Sequence, residues 1–267
     1  MCTLVIDFDP GREVPLVIGA NRDEQLTRPS APPDLWRVGP IPFLAPRDLK
    51  ARGTWLGLNA RGLFVGITNR AGAAPDPTRD SRGALVVEAL AHPDAASAQA
   101  ALAALAPDRF NPFHLLCADL EGAHVTWSDG AALHQVSLAP GVHAISERSH
   151  SPAAQARVRT VLEAWPRDAP PGLAQVQSAL GLHGAPDHPL EAPCVHLAGL
   201  DYGTRSSCAL MMGRDRRVWW RWAEGPPCRT PFEDLAPLLS DLASAAPHPG
   251  AGQGWVRNGR GGDSLNR

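Results

Sequence analysis

Apolar and polar positions fall into blocks with the periods of strands and helices. Residues 3–8 are mostly apolar, Asp9-Pro10-Gly11 carries turn chemistry, and residues 15–20 form a second buried-type run, so the chain opens as strand, turn, strand. Pro29, Pro32, Pro33, Pro40, Pro42 and Pro46 remove ladder donors from residues 28–46. That segment is expected to be a loop covering one mouth of a site, and not part of a central strand. Residues 54–58 and 63–67 flank Asn59-Ala60-Arg61-Gly62, a hairpin signal because Asn and Gly tolerate positive φ. Ser81 is placed to cap a helix through Leu90, and Asp94 or Ser97 a second through Leu105. Strand patterns return at 114–118, 125–128, 133–138 and 142–146. Val158, Val161, Leu162 and Trp165 then give residues 153–165 helical spacing. Residues 173–180 predict a short helix, 207–212 and 218–222 two strands around Gly213-Arg214-Asp215, and 232–242 a last helix.

Hairpin blocks separated by pairs of helices predict an α+β layered domain of antiparallel sheets covered by helices, over residues 1–244. From residue 245 the composition turns to Pro, Gly, Arg and Asn, which predicts a disordered tail. The 267 residues suffice for one large domain or two small ones.

Charge and composition narrow the function classes. A net charge of −2 (25 basic against 27 acidic residues) gives no general attraction to nucleic acid or anionic membrane. No basic leader precedes the first apolar stretch, and no apolar run approaches the ~20 residues of a membrane span. Five cysteines (Cys2, Cys117, Cys194, Cys208 and Cys228) are odd in number and form no CxxC pair. A disulfide framework is therefore not expected, and a cytoplasmic location is. No phosphate loop, dinucleotide fingerprint or serine-nucleophile elbow is present, so no cofactor is expected. His183, His188, Cys194 and His196 match no structural zinc spacing and sit in a Pro/Gly-rich stretch, which reads as a surface loop without metal. Trp219, Trp220 and Trp222 read as packing residues, and the arginines among them as a solvated face.

Cys2 is the candidate for chemistry. Removal of Met1 leaves a residue with both a thiol and a free α-amine of ordinary pKa about 7.7–8.0. Nucleophile and base then come from one residue. Residues 21–24 follow an apolar strand expected to pair with that of Cys2, which brings their charges near the chain start. An arginine beside a thiol stabilises the thiolate.

The Met1-Cys2 start, Ala20-Asn21-Arg22-Asp23-Glu24, Arg28-Pro29, Gly53-Thr54-Trp55-Leu56-Gly57, Thr68-Asn69, Phe110-Asn111, Ala118-Asp119 and Tyr202-Gly203-Thr204-Arg205 span roughly the first 210 residues. Together they resemble the NRDE family, the Transport and Golgi organization protein 2-like group. That family is similar to N-terminal-nucleophile cysteine hydrolases such as bile salt hydrolase and penicillin V acylase, which cleave non-peptide amides. The resemblance implies a four-layer αββα sandwich. It implies Cys2 as nucleophile and base, Arg22 holding the thiolate, Asp23 holding the α-amine, and Asn69 at the oxyanion. Asn21, Glu24, Trp55, Glu147, Tyr202 and Arg205 would contact a small-molecule substrate. In one departure, Ser146-Glu147 stands where relatives show Ser-Asn, and a glutamate there repels a developing oxyanion. Three readings follow, one of them a metal-dependent or purely structural protein. Another is a hydrolase of a linear amide or acyl conjugate, active after loss of Met1. The last is a non-catalytic ligand-binding or trafficking protein, for heme or acyl lipid, on the same fold.

Overall fold

The computed structural model describes residues 2–72, 74–147, 156–167 and 169–245. The first sheet takes β1 (Cys2–Phe8), β2 (Leu16–Gln25), β10 (Gly141–Ile145), β11 (His196–Leu197), β12 (Tyr202–Met212), β13 (Val218–Ala223) and β14 (Glu233–Asp234), in the order β10-β1-β2-β12-β13-β14 with β11 beside β12. The second takes β3 (Ser30–Trp36), β4 (Phe43–Asp48), β5 (Leu56–Asn59), β6 (Phe64–Asn69), β7 (Phe113–Ala118), β8 (Ala123–Ser128) and β9 (Leu133–Ser137), in sequence order. All named strand pairs are antiparallel.

Alternation along the strands sorts the core into three layers. Leu4, Ile6 and Phe8 of β1 join Leu56, Phe64, Leu116 and Leu210 between the sheets. Val5 points the other way, with Val17, against Val158, Val161 and Trp165. The second sheet buries Val65 and Leu115 against α1 (Arg82–Leu90) and α2 (Ala95–Leu102). On the first sheet α3 (Ala156–Ala164) and α4 (Leu173–Leu180) play that part. The layers are thus helix, sheet, sheet, helix, the expected αββα architecture. A last helix, α5 (Ala236–Ala245), packs on β3, β4 and β13.

The Asn59 hairpin forms as its pattern predicts. Asn59 Oδ1 accepts the Arg61 and Leu63 amides at 2.9 and 3.0 Å, and Gly62 takes φ +91°. Ser81 and Asp94 cap α1 and α2 through the amides of Gly83 and Ser97. The proline-rich segment is a correction, because it supplies two strands and not a loop. The prolines are accommodated because β3 is an edge strand with a register break between Ala31 and Asp34, while β4 pairs with β5 only at Phe43 and Leu44, short of Pro46. The last helix starts at Ala236 and not at 232, since Glu233 and Asp234 pair with β13 and Asp234 accepts the Ala236 amide. The second helix stops at Leu102 and not at Leu105. Residues 153–155 of the expected 153–165 helix, and the expected tail from 246 onwards, lie outside the described residues.

Candidate active site

Antiparallel pairing puts Cys2 directly across from Arg22. Paired residues share a face, so both side chains join the Leu4 and Ala20 side, between the sheets. Asn21 and Asp23 point to the opposite, helix-covered face. The tetrapeptide 21–24 therefore divides its charges between two environments.

On the inter-sheet side, Arg22 is buried. Its Nη2 lies 3.0 Å from Asp48 Oδ2 and 3.6 Å from Glu24 Oε2, and its Cζ sits 4.1 Å from the centroid of the Trp55 ring. Arg28 reaches the same Asp48 oxygen at 2.8 Å. The other oxygen of Asp48 accepts the amides of Lys50 and Ala51, so one carboxylate both closes the 48–53 turn and anchors two guanidiniums. Burial pushes the Asp48 carboxyl up, but the Arg28 hydrogen bond, the Ala51 amide and both arginine charges hold it below the usual carboxylate range. Arg22 Nη1 is buried without a hydrogen-bond partner among the described residues.

On the helix side, Asp23 Oδ2 accepts from Arg157 Nη1 of α3 at 2.6 Å, with side-chain exposures of 0% and 3%. Oδ1 accepts from Thr204 Oγ1 at 2.7 Å. Burial pushes the Asp23 carboxyl up, and Arg157 and Thr204 pull it back. Asn21 Nδ2 donates to Leu180 O and Pro193 O at 3.0 and 2.9 Å. The Tyr202 hydroxyl donates to the Asp23 carbonyl at 3.1 Å.

Cys2 opens into a cleft of about 670 Å³, lined also by Arg22, Glu24, Arg28, Trp55, Asn69 and Arg82. Lys50, the chain's single lysine, is on the rim. Burial pushes the Cys2 thiol up, the Asp23 charge adds to this, and Arg22 and a hydrogen bond from the Asp23 backbone pull it down. Arg82 is close enough to feel the Cys2 charge, although burial lowers its own pKa. It arrives there through glycine. A Cβ on Gly53 would stand 2.4 Å from the Gly83 carbonyl carbon, so the start of α1 presses on the strand entry only because both positions lack side chains. A second recess of about 510 Å³, around Asn59, Met212 and Leu242, has no cysteine or histidine in its lining.

Among the sequence-predicted residues, Cys2, Arg22, Asp23, Glu24, Trp55 and Asn69 line the Cys2 cleft, with the Asp23 carboxylate turned towards α3. Asn21, Glu147, Tyr202 and Arg205 are not among its lining residues. Arg205 pairs with Glu224 at 3.0 Å, and the Glu147 carboxylate has Oε2 buried without a partner among the described residues. A contact of Asp23 with a free α-amine lies outside the described residues, as Met1 does. Sequence reasoning missed Asp48, Arg82 and Arg157. Asp48 was detectable as a turn-closing Asp five residues before Gly53. Arg157 gave no signal, being an arginine on the buried side of a helix beside Val158.

A profile of the Transport and Golgi organisation 2 family matches residues 1–221. The mouse and human Transport and Golgi organization 2 homologs are each 29% identical over 157 residues, covering 55% of this chain and 56% of theirs. The chain thus matches about half the length of those curated relatives. Among solved structures, it is similar to a Caenorhabditis elegans N-acylethanolamine-hydrolyzing acid amidase ortholog (TM-score 0.55, 14% identity, 79% of this chain and 92% of that one). It is likewise similar to the conjugated bile acid hydrolase of Clostridium perfringens (TM-score 0.51, 11% identity, 88% and 92%). At such identities the likeness establishes the N-terminal-nucleophile hydrolase-like fold alone. With its profile match running from the Cys2 strand to β13, the chain belongs to the Transport and Golgi organisation 2, or NRDE, family.

Proposed function

We propose that this protein is an N-terminal-nucleophile cysteine hydrolase that cleaves a linear amide or acyl conjugate once Met1 has been removed. The observation that carries this reading is the pairing of Cys2 with a buried Arg22 on the same face, whose Nη1 has no hydrogen-bond partner among the described residues. A buried donor with no partner is costly, and a thiolate or a developing oxyanion would satisfy it.

In the proposed reaction the α-amine takes the Cys2 proton and the thiolate adds to the amide carbonyl carbon. The C–N bond then breaks and the amine leaves with that proton, which gives a thioester on Cys2. The α-amine takes a proton from water as it adds to the thioester, and the C–S bond breaks. That proton returns to the thiolate to regenerate the free thiol, and the acid product loses its remaining proton to solvent as a carboxylate. Arg22 stabilises the anion, while Trp55 and Asp48 fix its guanidinium by stacking and ion pairing. Asn69 at the end of β6 faces the same cleft and is available to the carbonyl oxygen. Lys50 and Arg82 are without an ion pair among the described residues, so the cleft favours a substrate carrying a carboxylate or another anion away from the scissile bond.

A non-catalytic ligand-binding role is favoured by one observation, the Glu147 carboxylate in place of an asparagine. The two readings separate in a hydrolysis screen of N-acyl amino acids and N-acyl amines with protein beginning at Cys2. The hydrolase reading expects amine release that Cys2→Ala abolishes. Saturable ligand binding with no release, unchanged in Cys2→Ala, would establish the alternative.

A further inference from the structure

The segment between α4 and β12 places four side chains together that the sequence scatters. Cys194 and His196 lie two residues apart. The Cys194 amide donates to the Leu182 carbonyl at 3.0 Å, which draws His183 alongside. The turn carrying Cys228 packs on Gly181, where a Cβ would stand 3.8 Å from the Cys228 Cα. The result is that one ligand atom from each of His183, Cys194, His196 and Cys228 lies within 4.8 Å of all the others. His196 Nε2 sits between the two sulfurs, 3.5 Å from Cys194 Sγ and 3.2 Å from Cys228 Sγ. The imidazole of His183 stacks on that of His196 with centroids 5.1 Å apart.

We propose that these four residues form a Cys2His2 site for a borderline-soft divalent metal ion, zinc above others, with a structural role. Zinc bonds of about 2.3 Å to sulfur and 2.0–2.1 Å to nitrogen set tetrahedral N···S separations of about 3.6 Å. The two distances from His196 to the sulfurs are already close to that value, and the remaining ligand-atom separations, within 4.8 Å, have to contract on loading. Two thiols release their protons to solvent and two neutral imidazoles bind. A divalent ion therefore enters as a neutral complex with two protons liberated. Four protein ligands leave no open position for substrate water, which fits a structural site and not a catalytic one. His183 and Cys228 also line an open surface cleft, which gives the ion a path in. His188, which sequence alone groups with these histidines, is not a member, and Cys228 takes its place.

The site would brace the face of β2 that carries Asn21 and Asp23. The Val195 amide, between two of the ligands, donates to Thr204 Oγ1 at 2.9 Å, and Thr204 donates on to Asp23. Asn21 holds the neighbouring Pro193 carbonyl. The metal inference stands apart from turnover at Cys2 and does not depend on it.

Cobalt(II) titration of the full chain, kept reduced with a phosphine, tests the site. Expected are one equivalent bound, thiolate-to-cobalt charge transfer with tetrahedral d–d bands, and displacement of both by zinc. Cys228→Ser and His183→Ala replace exposed side chains, and each should weaken binding at least about tenfold while circular dichroism stays unchanged. Cys2→Ala should leave the spectrum as it is. Absence of charge transfer in the reduced protein overturns the proposal. So does binding that survives both variants, or recovery of metal-free protein with Cys194 and Cys228 joined as a disulfide.

Discussion

The two faces of β2 carry consecutive residues of one motif and treat charge in opposite ways. Asp23 faces the helices, and its carboxylate is committed to Arg157 and Thr204 in a site closed to water. Arg22 faces the other sheet across from Cys2, shares Asp48 with Arg28, stacks on Trp55 and has Nη1 without a hydrogen-bond partner among the described residues. The lesson is that a linear motif of four polar residues need not be one site. In a strand, period two splits it, and here one half fixes the scaffold while the other half faces the cleft.

The largest effect should come from breaking the scaffold half. Arg157→Met removes the Arg157 charge from the buried Asp23 carboxylate and should lower unfolding free energy by about 3–5 kcal/mol in chemical denaturation. The double variant Asp23→Leu with Arg157→Met should recover much of that loss. A loss under about 1 kcal/mol for the single change would show that Asp23 is not held as described. Arg22→Met, on the cleft half, should cost less, about 1–2 kcal/mol, since part of its environment is wet. It should still slow alkylation of Cys2 near neutral pH by roughly tenfold, the equivalent of one pKa unit. Equal alkylation rates would detach Arg22 from the thiol.

Glu147→Asn tests the departure from the family pattern and should raise amide turnover by about tenfold if the carboxylate opposes an oxyanion. No change in turnover would remove Glu147 from the account. The smallest effect concerns Asp48. Its carboxyl titrates below the usual range when folded, so its stabilising contribution is complete above about pH 4, the unfolded value, and is lost as pH falls through the lower folded value. Asp48→Asn should flatten the acid limb of the stability curve by about 1 kcal/mol and leave neutral-pH unfolding cooperative. An acid limb identical to wild type would contradict this.

Most of the layering was legible because period-two apolar runs and capped helices are local signals. The Asn59 hairpin and the Ser81 and Asp94 caps are examples. Residues 28–46 were misread because proline content signals a missing donor without telling that the donor faces solvent on an edge or lies opposite a register break. Cys2 and Arg22 could be placed together because two consecutive strands joined by a tight turn must pair. Arg157, Thr204 and Cys228 could not, since they reach their partners through packing of α3, through β12 and through a turn beyond β13. No local period records such contacts.

The most direct test of the central claim is intact-mass analysis of the recombinant chain before and after a cysteine-directed acylating probe, with Cys2→Ala alongside. The account predicts a chain beginning at Cys2 that gains one acyl group rapidly near neutral pH, with the adduct absent from Cys2→Ala. Retained Met1, or acylation of Cys2 no faster than of the exposed Cys228, would contradict it.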